Sequence, residues 1–182
     1  MRLRNSIQSW GLVARILHWV VAVMIVGQIT TGWLSEKETD REASLALIRD
    51  HFQFGIILSG LILMRLLWRL TNRPPSPPPH EPRWRELVAE RVHRLIYALL
   101  LILPISGYIV WVHMKAPMDV FGLFTVPALF VPPVEDETLR AGSWYVHYFA
   151  GWILIGLVVV HILAAIWHQF VLRDRLIRRM IG

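Results

Sequence analysis

Three histidines lie in one apolar stretch long enough to cross a bilayer: His147, His161 and His168. The first two are 14 residues apart, which on a helix is about 21 Å of rise and about 40° short of eclipse. The third lies seven residues on, close to the same stripe. An ionisable stripe inside a membrane helix is costly and marks function by default. Imidazole nitrogens can ligate a metal or haem iron, or can relay protons.

Two further histidines open other apolar stretches, His18 and His51. Their depth follows from the organisation of the chain. The 182 residues are 55% hydrophobic with a mean hydropathy of +0.47, too apolar for an ordinary soluble domain. Four apolar helices are expected, at about 15–34, 51–70, 90–113 and 144–172, the first close to the about 20 residues that a span needs and the others at least as long. The expected fold is all-α, one transmembrane four-helix bundle over residues 1–182. No small-residue cleavage site closely follows the first apolar run, which reads as a retained helix. A charged, partly helical loop is expected over 36–50. A proline-rich linker with Pro74, Pro75, Pro77, Pro78 and Pro79 forbids helix between the second and third spans. The apolar stretch 120–130, broken by Gly122 and Pro127, is too short to span and is expected to lie in the interface. No internal repeat is evident.

Charge orients the bundle. Arginines gather in the first tail (Arg2, Arg4, Arg15), around the second loop (Arg65, Arg69, Arg73, Arg83, Arg85, Arg91, Arg94) and in the last tail (Arg173, Arg175, Arg178, Arg179). The other two loops hold only Lys37, Arg41, Arg49, Lys115 and Arg140, among an excess of carboxylates. Basic flanks stay inside, so both termini are expected to be cytoplasmic. This distribution also explains the formal charge of +6 without a nucleic-acid partner. The expected surroundings are membrane lipid.

With that orientation the histidines fall on two levels. His51 and His147 lie near the outer face; His18 lies near the inner face with His161 or His168. Pairing His18 with His161 places the outer level at Gly32 of the first helix, still within the span. Pairing it with His168 pushes that level to Thr39, in a charged loop. The first arrangement suits a membrane better. Facing imidazoles at two levels suit bis-imidazole haem and make an electron path across the bilayer. Zinc is disfavoured, because no carboxylate or cysteine joins either level. The chain has no cysteine at all, which excludes covalent c-type attachment. Gly55 and Gly151 each follow an outer histidine by four residues. They leave room for a flat ring or simply let helices pack closely.

His168 sits below the inner level, where a quinone needs a proton-carrying partner; facing headgroups is its other reading. Arg65, His93 and Arg94 share the inner level and could meet haem propionates, although for arginines headgroup binding competes. His113 could neighbour outer propionates. His80 reads as a solvent-exposed linker residue.

The chain resembles the bacterial cytochrome b561 family of four-helix, di-haem membrane cytochromes. The resemblance rests on Ile16–Trp19, His51–Gly55, Val92–Tyr97, Leu103–Gly107, Ser143–His147, His161–Phe170, Arg173 with Asp174, and Arg179 with Met180. It covers nearly the whole chain. It implies two b haems, one on His18 and His161 and one on His51 and His147. It also implies electron transfer between a periplasmic partner and the quinone pool. Some members oxidise superoxide and reduce ubiquinone, and the acidic outer loops give that activity mixed support. The rival readings are a cytochrome b subunit of a larger dehydrogenase or hydrogenase, and a histidine-lined proton or metal transporter.

Overall fold

A computed structural model describes residues 2–77, 81–133, 137–174 and 176–181. Four long helices dominate it: α1 (Leu12–Lys37), α2 (Arg41–Thr71), α3 (Arg83–His113) and α4 (Thr138–Trp167). A π-helical turn, His168–Leu172, continues α4, and a short α5 (Leu176–Ile181) follows. All four long helices are long and apolar enough to cross a membrane.

Each helix outruns its apolar stretch, because hydropathy marks only the part suited to lipid. The expected loop over 36–50 is mostly the first turns of α2. Asp40 caps that helix by accepting from the Ala43 backbone N–H at 2.8 Å. Helix α3 starts at Arg83, directly after Pro82, rather than near residue 90. It runs without interruption through Pro104. His80 lies outside the described residues.

Helices α1 and α2 form one tight hairpin, and α3 and α4 form a second; the two meet chiefly through α2 and α3. A buried apolar layer joins them. Val21 and Ile25 of α1, Leu58 and Ile62 of α2, Leu100 of α3 and Leu154 of α4 interlock there.

The connection after α3 is not purely helical. Two short antiparallel strands, β1 (Asp119–Val120) and β2 (Phe124–Thr125), make a small hairpin. It sits against α2 at Phe52 and Gln53 and against the C-terminal end of α3. Val120 is completely buried against Phe52 and Trp111, whose rings stack at 4.4 Å. Gln53 donates to the Asp119 carbonyl at 3.1 Å, and the Trp111 indole donates to the Pro117 carbonyl at 3.1 Å. Part of the apolar stretch 120–130 is thus a packed cover for the protein itself.

Both ends of the chain gather at the opposite end of the bundle. The Ser76 N–H donates to the Ile7 carbonyl at 2.9 Å. Arg179 donates to the carbonyls of Gln8 and Ser76, each at 2.8 Å. Asn5 donates to the Arg73 carbonyl at 3.1 Å. The tail, the linker and α5 are therefore tied together.

Ile62 is 2% exposed, whereas its neighbour Leu63 is 52% exposed. Ile62→Ala is expected to destabilise the bundle toward the low end of about 2–5 kcal/mol, since packing rather than transfer from water is lost. Leu63→Ala should be near neutral. Denaturant unfolding in detergent measures both, and equal losses would contradict this placement of the core.

Candidate functional site

The outer-level histidines meet as expected. His51 of α2 and His147 of α4 have ring centroids 5.9 Å apart with planes at 77°. Each ring is held by the neighbouring helix of its own hairpin. Nδ1 of His51 lies 3.1 Å from the Gln28 carbonyl and 3.3 Å from the Thr31 hydroxyl of α1. Nδ1 of His147 lies 2.9 Å from the Leu103 carbonyl and 3.2 Å from the Ser106 hydroxyl of α3. A carbonyl can only accept, so Nδ1 carries the proton in both rings. Nε2 is left with its lone pair, the form that ligates a metal.

Glycines let these rings approach. A methyl group on Gly32 would lie 3.3 Å from Cε1 of His51, and one on Gly107 would lie 3.0 Å from Cε1 of His147. Depth bookkeeping from the sequence puts the outer level at Gly32, and Gly32 is where α1 touches His51. The signal for Gly107 and Ser106 was present as well, in the stretch Leu103–Gly107. Its task of seating His147 was not legible. A methyl group on Gly151 would meet nothing within 4 Å, and one on Gly55 would meet only the Gln28 amide, at 3.8 Å. These glycines leave space rather than seat a ring.

The inner level brings together more than a pair. His18 of α1 and His161 of α4 have centroids 6.3 Å apart at 76°. His93 of α3 is closer still to His161, at 5.2 Å. Arg65 of α2 lies within electrostatic range of all three imidazoles. Its Nε donates to the Tyr97 hydroxyl at 2.9 Å. Its Nη1 is buried with no hydrogen-bond partner. Tyr97 also carries the Arg69 guanidinium over its ring at 5.6 Å. Arg94 does not join this group through any ion pair of its own. It pairs with Glu90 at 2.5 Å, and both side chains are exposed.

His168 lies elsewhere, at the start of the π-helical turn. The turn ends at Arg173 in a left-handed conformation, φ 56°, which folds the chain back. Asp174 then pairs with Nδ1 of His168, and the imidazole is only 17% exposed. Glu81, from the start of the α3 segment, completes a group whose ligand atoms lie within 4.8 Å of one another. Neither acid is recognisable from the sequence as a partner, because Glu81 is 87 residues from His168 and Asp174 reaches it only through the π turn. At the other end, His113 is buried with Nδ1 2.8 Å from the Ile109 carbonyl and its Nε2 unpartnered.

Haem fits these residues. The two imidazole pairs, with centroids 5.9 and 6.3 Å apart, would hold haem iron through their ring nitrogens. A buried guanidinium whose Nη1 NH2 group has no partner answers a propionate carboxylate. Four apolar helices around layered imidazoles, with a cationic corner at one layer, have the make-up of a membrane-embedded cytochrome.

Comparison with known proteins agrees. Residues 9–182 match the model of prokaryotic cytochrome b561, and the chain belongs to that family. Cytochrome b561 homolog 2 of Escherichia coli (strain K12) is 29% identical, covering 100% of this chain and 96% of its own length. Cytochrome b561 homolog 1 of the same organism is 26% identical, over 91% of this chain and 92% of its own length. Probable superoxide oxidase CybB of Yersinia pestis is 28% identical over 91% of each chain. The protein is therefore a transmembrane cytochrome of electron transport that binds b-type haem. The transporter reading gives way to a haem protein.

Proposed function

We propose that the chain is a di-haem cytochrome that carries electrons across a bacterial inner membrane, between a partner at the outer face and the quinone pool. The observation that carries this reading is the pairing of imidazoles at two levels, at 5.9 and 6.3 Å, about 21 Å apart along α4. His51 with His147 would hold the outer haem and His18 with His161 the inner one. Bound haem supplies a one-electron iron couple at each level. Arg65, steadied by Tyr97, would answer an inner propionate, and His93 would stand beside it. Arg94, exposed and paired with Glu90, would face headgroups instead.

His168 is the proposed quinone contact. Its pairing with Asp174 and its low exposure support a positioned proton carrier over a headgroup-facing histidine. The outer donor is proposed to be superoxide, on the strength of the relative named as a probable superoxide oxidase. Two superoxide anions would each lose an electron to leave two dioxygen molecules. One quinone would gain both electrons and take up two protons to become a quinol. At the end of the bundle nearer His51, an open pocket of 420 Å³ is lined by Arg49, Asp50, Gln53, Pro117, Asp119 and Phe121, with two carboxylates beside its one guanidinium.

A dithionite-reduced minus oxidised spectrum should give a haem-to-protein ratio near two. Alanine at His18, His51, His147 or His161 should reduce that ratio to about one or below, and an unchanged ratio in any of them removes it from the ligand set. His168→Ala should keep both haems and slow quinone reduction at least several-fold. Quinone reduction at the native rate would return His168 to the headgroups. The absence of native cysteine makes the orientation testable in intact spheroplasts. Leu123→Cys should react with an impermeant thiol reagent, and Ser9→Cys should react only after permeabilisation. The reverse pattern would invert the bundle.

A further inference from the structure

The two outer histidines are seated by the same local device. On α1 a carbonyl at Gln28, a hydroxyl at Thr31 and the bare backbone of Gly32 surround the His51 ring. On α3 a carbonyl at Leu103, a hydroxyl at Ser106 and the bare backbone of Gly107 surround the His147 ring. The spacing is identical: carbonyl, hydroxyl three residues on, glycine next. The hydroxyls are also held alike. Thr31 bonds the carbonyls of Gly27 and Gln28 at 3.0 and 3.2 Å, and Ser106 bonds those of Ile102 and Leu103 at 2.9 and 3.0 Å.

This register extends well beyond the seats. His18 precedes Gly32 by 14 residues, and His93 precedes Gly107 by 14. Along α2 and α4 the matches are His51 with His147, Gly55 with Gly151, Ile57 with Ile153, Leu58 with Leu154, Gly60 with Gly156, and Leu61 with Leu157. The buried layer obeys the same register: Ile25 of α1 corresponds to Leu100 of α3, and Leu58 of α2 to Leu154 of α4. An internal repeat thus exists where the sequence reading found none. It is hidden because the connection after α3 is longer than the one after α1, so the two halves fall at different offsets. At the inner level the correspondence breaks. His18 maps onto His93, but His161 maps onto Arg65.

We infer that the bundle is two related hairpins and that Thr31 with Gly32, and Ser106 with Gly107, form a duplicated seat that orients both axial ligands of the outer haem. The inference rests on the bis-imidazole reading of the outer level. Each hydroxyl spends its hydrogen on a helix carbonyl, so its oxygen accepts from the ring N–H. Together with the carbonyl it makes the imidazole a more basic ligand, which favours oxidised iron. Each glycine lets the helix backbone close on the Nδ1–Cε1 edge of the ring and so restrains its orientation. Arg65 breaks the symmetry below, placing a cation where the equivalent residue is a histidine.

The test uses the full-length, haem-loaded protein in detergent. Gly107→Ala and Gly32→Ala should alter the ferric EPR signal of the outer haem, which reports the angle between its two imidazole planes, or lower the haem ratio from two to one. The effect should be larger at Gly107, where the added methyl group comes closer. Gly60→Ala, whose methyl group meets nothing within 4 Å, should change neither. Thr31→Ala and Ser106→Ala should retain both haems and raise the outer midpoint potential, each in the same direction. Thr31→Ser and Ser106→Thr should restore it. If both glycine variants leave the outer signal and potential as they were, or if the two hydroxyl variants shift the potential oppositely, the seat is refuted. Where a glycine variant does not assemble, the hydroxyl pair decides alone. Full haem content in His51→Ala and His147→Ala would instead refute the ligation reading beneath it.

Discussion

An imidazole placed inside an apolar slab has two nitrogens to satisfy and no water to do it. In this chain the outer-level rings each give Nδ1–H to a backbone carbonyl of the neighbouring helix, and the rest of the bundle is arranged around that bond. It settles which nitrogen remains free and where the ring plane lies. It also requires the two helices of a hairpin to lie close enough for one backbone to reach the other's side chain, which is why a glycine stands beside each ring. Helix α1 must therefore pack tightly on α2, and α3 on α4. The free nitrogens would then be available to a planar cofactor held between the two rings.

The two levels solve the same problem with different chemistry. The outer one has a near-symmetric pair of seats and no charged group among them. The inner one gathers three imidazoles and a guanidinium, with Tyr97 holding one edge of Arg65. A buried cation needs a counter-charge, and the described residues around Arg65 supply none through an ion pair. A carboxylate-bearing cofactor would. Farther along, the π turn after α4 departs from regular helix and returns Asp174 to His168. Such bulges often mark functional sites, and here the departure is what creates an imidazole–carboxylate pair at the membrane edge.

Much of this was legible from residue types and spacing. The four apolar stretches give the number of spans, and the proline linker separates the second from the third. Fourteen-residue spacing was enough to sort the histidines into levels and to place the outer level at Gly32. Less legible were contacts between helices distant in sequence. Nothing in Gln28 or Leu103 announces that its carbonyl accepts from a histidine, because every residue has a carbonyl. The repeat escaped for a related reason: the longer second connection shifts α4 out of the register that relates α1 to α3.

The sequence by itself determined what a membrane demands of any chain: apolar length, charge at the ends, and the depth of each polar residue along its own helix. Those are one-dimensional properties, read at a constant rise per residue. Only the tertiary structure decided which helix each ring leans on and that His93 joins the inner pair. It also decided that Arg65 lies near the imidazoles while Arg94 turns to Glu90, and that the stretch after α3 folds over Phe52 and Trp111. These depend on the azimuth of each helix and on which helices are neighbours. Packing sets both, and many different packings would satisfy the same pattern of hydropathy.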